Sequence, residues 1–379
     1  MNLIRAILLL IFLSTPLKAN TIYNLIKIPN LEIYEINTKN KLRYFYAARP
    51  FQLGTQKNIV CSNPNKKDLE LKYKIIHKNL NRYSYDYLKK IKSGEIKTGS
   101  RLGIPSFDEY IRFKPSNFNV ILGHANVGKT SVALYLMLLY SRLHKKRWVV
   151  YSSENEPYSI IRRLMEFMES MPINKISDAG FKRSSEFINS HFKFIDTKDM
   201  YTYKELLMLS KQIKMAWDYD GLFIDPYNSL KKDFELLKSV GGHEYDYHAC
   251  TEIRIFCKEF KITTWLNTHA NTAALRSLHR FEDPYAGYPV PPQASDIEGG
   301  GKFVNRADDF WVVHRYVQHP TDFMYTHIHV RKVKEVETGG RPTMLQEPIR
   351  LKSIPNNVGF TLDEKDMLEV VKTPKNLPF

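Results

Sequence analysis

The stretch Phe118-Asn-Val-Ile-Leu-Gly123-His-Ala-Asn-Val-Gly128-Lys129-Thr130-Ser131 decides the fold. Residues 118–122 are largely apolar and read as a short buried strand, 123–130 fit GxxxxGK[ST], and 130–144 read as a helix. Strand, glycine-bounded loop and helix in that order put a row of backbone N–H groups and a helix N-terminus where phosphate can meet them. The candidate nucleotide-binding residues are therefore Gly123, His124, Ala125, Asn126, Val127, Gly128, Lys129, Thr130 and Ser131. In such a loop the lysine, Lys129, is expected at the β- and γ-phosphates of ATP, and the Thr130 hydroxyl at Mg²⁺.

Further along the chain, short apolar runs at 148–151, 192–195, 222–224 and 262–266 alternate with helical stretches such as 247–260. That alternation predicts an α/β fold with a mostly parallel central sheet flanked by helices. Gly221-Leu-Phe-Ile-Asp225 is a small apolar strand ending in an acid, so Asp225 is the second candidate for Mg²⁺, held through water. Trp148-Val-Val-Tyr151 runs into Ser152-Ser-Glu154-Asn-Glu156, expected at the tip of a strand beside the phosphate loop. A carboxylate there can orient and deprotonate an attacking water, and Glu154 and Glu156 compete for the role. After Asp309 the pattern turns to strands, at 310–314, 325–333 and 348–351.

The 379 residues are 43% apolar and 25% charged, which suits a globular protein with a large core and excludes a disordered or multi-span membrane chain. A formal charge of +16 attracts polyanions, nucleic acid foremost. Cys61, Cys250 and Cys257 form no CxxC pair; the last two lie two turns apart on a helix and read as core thiols of a reducing compartment. Residues 1–20, with Arg5, the apolar run 6–13, Pro16 and Ala19, look like a secretory leader. A need for ATP points instead to the cytoplasm, with no stable membrane association. Residues 1–95 read as a small N-terminal accessory region, helical at 66–92, without a zinc-ligand or paired-acid pattern. Residues 96–355 read as the ATPase domain, and 356–379 as a tail.

With these pieces in order, residues 96–351 resemble the RecA-like P-loop ATPase domain of DnaB-like replicative helicases, and also the hexameric RepA-type helicases of plasmids and phages. Gly103-Ile-Pro-Ser-Phe-Asp108 is similar to the family's lead-in to its first core strand, and Val149-Val-Tyr-Ser-Ser-Glu154 to the strand that ends in its catalytic glutamate. The resemblance places the base on Glu154. It also puts a γ-phosphate sensor at Leu266-Asn-Thr-His269, on His269 in preference to Thr268, where the family usually has Gln or paired His.

Ser295-Asp-Ile-Glu-Gly-Gly-Gly-Lys302 resembles a channel loop, which makes Lys302 a candidate contact for single-stranded DNA. His329-Val-Arg-Lys332-Val-Lys334 resembles the strand whose basic residues reach a neighbouring subunit's ATP; Lys332 and Lys334 share a face and Arg331 points away. The loop 272–298, with Arg276, Arg280, Tyr285 and Tyr288, suits phosphate tracking and base stacking.

The implied protein is an ATP-dependent replicative DNA helicase: a ring, most simply a hexamer, moving 5′ to 3′ on single-stranded DNA at a replication fork, with a primase or loader as further partner. The alternatives are a RecA-fold DNA-dependent ATPase of recombination or repair, and a regulatory or loader ATPase that is not a helicase.

Overall fold

The computed structural model of the chain describes residues 23–28, 31–38, 41–47, 61–62, 85–86, 88–90, 92–93 and 99–372. The leader-like segment 1–20 lies outside the described residues, and so does most of the helical reading of 66–92. The chain divides into two compact units, 1–96 and 97–379. In the first, β1 (Tyr23–Ile28), β2 (Leu31–Thr38) and β3 (Lys41–Ala47) form an antiparallel meander, and β4 (Cys61–Ser62) runs parallel to β1.

The second unit is built on a ten-stranded sheet in the order β14-β13-β12-β11-β10-β5-β9-β8-β6-β7. Its first strands are β5 (Phe118–Gly123), β6 (Trp148–Ser152), β7 (Phe192–Phe194), β8 (Gly221–Asp225) and β9 (Thr263–His269). These are followed by β10 (Asp309–His314), β11 (Tyr325–Val333), β12 (Ile349–Ser353), β13 (Phe360–Leu362) and β14 (Lys365–Asp366). Strands β10 to β7 in that order are parallel, and β11 to β14 extend the sheet antiparallel. The helices are α1 (Pro105–Asp108), α2 (Lys129–His144), α3 (Pro157–Glu169), α4 (Asp178–His191), α5 (Tyr203–Ala216), α6 (Phe234–Phe260, broken at Gly241), α7 (Lys302–Arg306), α8 (Val336–Gly339) and α9 (Met367–Lys372).

Successive strand residues feed opposite faces, as the two-residue period of a strand demands. Phe118, Val120 and Leu122 join the core under α5 and α6; Ile121 joins the core under α2 and α3. Both faces are covered, so β5, β6 and β8 are buried from end to end, which is why they read as unbroken apolar runs. Helix α2 is apolar nearly all round because the sheet lies on one side of it and α3 and α9 on the other. Before β5, Asp108 ties the lead-in down: its carboxylate accepts the amides of Leu102, Gly103 and Ile104 at 2.7, 2.7 and 2.9 Å.

The C-terminal segment corrects the sequence reading. Residues 356–372, expected as part of a tail, carry β13, β14 and α9, with Phe360, Leu362, Met367, Leu368 and Val371 buried in the core. The polar run Asp363-Glu364 hid this from the sequence: both residues have positive φ, 50° and 62°, and turn a two-residue hairpin.

Candidate functional site

Because β5, β8, β9 and β6 run parallel, their C-terminal ends form one rim of the sheet, and the candidate residues come from there. The loop leaving β5 turns through Asn126 (φ 61°) and Gly128 (φ 92°) into the first turn of α2. Ala125 and Asn126 are exposed while His124 and Val127 face inward. Lys129 is buried, and its Nζ donates to the carbonyls of Gly123 and His124 at 2.8 Å each. Burial lowers the Lys129 ammonium to about 8, against the pull of the Asp225 and Glu154 charges. Its charge is costly where it lies and gains when an anion arrives.

Thr130 and Asp225 come together across 95 positions: Thr130 Oγ1 donates to Asp225 Oδ2 at 2.8 Å. Ser152 Oγ lies 3.3 Å from the same oxygen, and Asn267 Nδ2 donates to Oδ1 at 2.6 Å. Burial raises the Asp225 pKa, and the hydrogen bonds from Asn267 and Thr130 work in the opposite sense. A hydroxyl and a carboxylate this close are hard oxygen donors of the kind that would suit Mg²⁺.

The strand carrying Glu154 does not lie beside the phosphate-loop strand as expected; β9 and β8 intervene between β5 and β6. Glu154 reaches the site through a histidine instead. His269 ends β9, opposite Gly123 in the register, with Nε2 at 3.1 Å from Glu154 Oε1 and Nδ1 at 3.4 Å from Lys129 Nζ. The ammonium can only donate, so Nδ1 accepts and Nε2–H points at Glu154, which assigns the tautomer. Glu156 is the N-cap residue of α3, and its carbonyl receives the Ser159 amide. Ser152, Asn228 and Asn267 escaped the sequence reading. Asn267 stands inside the quoted Leu266-Asn-Thr-His269, but nothing local says that it faces β8.

The basic pair Lys332 and Lys334 lies at the opposite rim. Lys332 pairs with Phe310, which pairs with Val120 near the start of β5. Neither lysine can reach its own chain's phosphate loop, and the two are not equivalent. Lys332 Nζ donates to the carbonyls of Val304 and Ala307 at 2.7 Å each, capping the end of α7. Lys334 is half-exposed, 3.3 Å from Asp308, a carboxylate that Arg254 also holds at 2.9 Å.

Arg276, which ends the turn Thr272–Arg276, and Arg280 are exposed, the latter on a hairpin closed by His279 N to Tyr288 O at 2.9 Å and Val290 N to Ser277 O at 2.8 Å. Its tyrosines are engaged: Tyr285 stacks on Tyr316 at 3.9 Å, and the Tyr288 hydroxyl donates to the Gln318 carbonyl. Phe281 is the hairpin's exposed aromatic, at 97%. Lys302 corrects the reading as a DNA contact, because it is buried as the first residue of α7.

No family model matches the chain. A solved ATPase domain superimposes with a TM-score of 0.59 at 16% identity, over 75% of this chain and 99% of that one. A DnaB-like replicative helicase, solved for its interactions with primase, superimposes with a TM-score of 0.56 at 15% identity, over 80% of this chain and 68% of that one. The fold is that of a DnaB-like helicase ATPase domain. A Twinkle homolog protein, chloroplastic/mitochondrial, from Arabidopsis thaliana is 23% identical over 258 residues, 64% of this chain. The chain spans about a third of that relative's length, 34%.

Proposed function

We propose that the chain is an ATP-driven motor that translocates on single-stranded DNA as a ring and unwinds duplex DNA, as a replicative helicase does. The observation that carries the reading is His269 between Lys129 and Glu154 at the rim of a RecA-like sheet, with Thr130 and Asp225 paired beside it. In this reading the loop amides of 124–130 and the N-terminus of α2 receive the β- and γ-phosphates. Lys129 leaves the carbonyls of Gly123 and His124 for phosphate oxygens, which relieves the cost of its buried charge. Thr130, and Asp225 through water, hold Mg²⁺, whose chemistry is to neutralise phosphate charge. Glu154 orients and deprotonates the attacking water, and His269 fixes its carboxylate.

Lys334 supplies charge to a neighbouring copy's nucleotide, since it lies at the far rim of its own sheet. A finger of this kind contributes on the order of 10³ to 10⁵ in rate. The exposed Arg276 and Arg280, within a chain of charge +16, suit a DNA backbone. The ring itself, hexamer or other, and any primase or loader belong to the same proposal.

A tailed-duplex assay tests it. With ATP and Mg²⁺ the protein should displace the annealed strand, and Lys129→Ala should neither unwind nor hydrolyse. Hydrolysis on single-stranded DNA without strand displacement would instead favour an ATPase of recombination or repair. Mass determination with ATP and single-stranded DNA gives the ring size.

A further inference from the structure

The turn Tyr227–Ser229 follows Asp225 and Pro226 directly, and it carries two side chains that the chemistry above does not use. Asn228 lies across the end of β9. Its Oδ1 accepts from the His269 amide at 2.9 Å and from the Thr268 hydroxyl at 3.0 Å, while its Nδ2 donates to Glu298 Oε2 at 3.0 Å. A backbone N–H can only donate, so the amide's orientation is set, oxygen toward β9 and NH₂ toward Glu298. Glu298 opens the loop Glu298-Gly-Gly-Gly301, and its own N–H donates to the His269 carbonyl at 3.0 Å.

Tyr227 holds the other flank. Its hydroxyl donates to Asp246 Oδ1 at 2.7 Å, and Gly299, at φ +101°, lies so near that carboxylate that a Cβ would fall 2.8 Å from Oδ2. One short turn thus joins the end of the Asp225 strand to His269, to Glu298 and, through Asp246, to the flank of Gly299.

We propose that Asn228 is a positioning residue that transmits the state of the nucleotide site to the glycine loop at 298–301 through its hydrogen bond to Glu298. The inference rests on the nucleotide-binding reading of 123–130. Asp225 and His269 are the groups whose surroundings change when phosphate charge arrives beside Lys129. Asn228 is three residues from the first and bonded to the backbone of the second, so a shift of either moves its amide. Asn228 is half-buried and Glu298 exposed, so the link runs from the core to the surface. Gly299 and Gly300 both have positive φ and carry no side chain to resist movement.

Hydrogen exchange on the full chain, with and without a non-hydrolysable ATP analogue and Mg²⁺, tests the link. In the parent chain the analogue should slow exchange at 126–131 and alter it at 298–302. Asn228→Asp keeps both acceptor bonds and removes only the donor, setting two carboxylates side by side. In it the response at 298–302 should vanish while that at 126–131 remains. Adding Glu298→Gln rebuilds the bond in the reverse direction and should return the response. Glu298→Ala, at an exposed side chain, should show the same loss without touching β9.

The link is overturned, with the nucleotide reading left standing, if the parent's glycine loop ignores an analogue that protects 126–131. The same holds if Asn228→Asp keeps the response, or if the double variant does no better than Asn228→Asp. Absence of protection at 126–131 in the parent overturns the nucleotide reading and the link with it.

Discussion

At the scale of single residues, the rim separates groups that hold a nucleotide from a group that acts on water. Lys129 and Thr130 belong to the loop, whereas Glu154 touches it only through His269. Glu154→Gln should therefore lower ATP turnover by about 100-fold or more, since general-base assistance contributes that much. Its affinity for an ATP analogue should stay within a few-fold of the parent's. Turnover and equilibrium binding measured on the same preparation check this, and an equal loss in both would return Glu154 to a binding role. Glu154 was legible as one of two acids that follow an apolar strand, Glu156 being the other, and the resemblance preferred it. Its partner was not, because His269 lies 115 positions away and only the sheet brings the two within 3.1 Å.

At the scale of elements, the end of β11 carries two lysines that serve different ends, Lys332 within the strand and Lys334 just past it. Lys332 is spent on the C-terminal carbonyls of α7, where a cation also meets the negative end of the helix. Lys332→Ala should cost about 1–2 kcal/mol of stability, read as a lowered denaturant midpoint, because two partly buried carbonyls lose a charged donor. Lys334→Ala should leave that midpoint in place and lose turnover, and mixing it with Glu154→Ala subunits should restore some activity at hybrid interfaces. No restoration would count against a finger acting in trans. The two-residue period sets the two lysines on one face. It could not tell that α7 ends beneath one of them, since that depends on where a segment some 25 positions earlier packs.

At the scale of the whole molecule, the antiparallel extension and the histidines beneath the hairpin carry the consequences. A chain ending at Ile354 would lack β13, β14 and α9 and expose the α2 face that Phe360 and Leu368 cover. Such a chain should lose its cooperative thermal transition by circular dichroism; a transition unchanged from the parent would show that the segment is dispensable. His314 and His329 are each 3% exposed, and burial lowers them to about 3 and about 2. Their folded pKa values lie below the unfolded value near 6.5, so the unfolded chain takes up protons first. Stability from this source is complete above pH 6.5 and is lost as the pH falls toward 3, by about 1.4 kcal/mol per pH unit for each histidine. Burial lowers His327 too, against the pull of Asp322, so it adds to the loss. Tm should therefore fall between pH 7 and pH 5, and a flat profile would contradict the assignment.

The sequence by itself determined what lies within one element of its neighbours: the loop at 123–130, the acid ending β8, the strand–helix alternation and hence the parallel sheet. These are local because a strand, its turn and the next helix declare themselves through periodicity and a few obligatory residue types. Only the tertiary structure decided the order of the strands, and with it every contact across the rim: Thr130 with Asp225, Glu154 with His269, Asn228 with Glu298. It also decided that Lys302 is buried and that residues 356–372 complete the core. Side chains reach only a few ångströms, so a pair distant in sequence meets only when the sheet sets its strands at one edge, and strand order is a property of packing that no window of sequence contains.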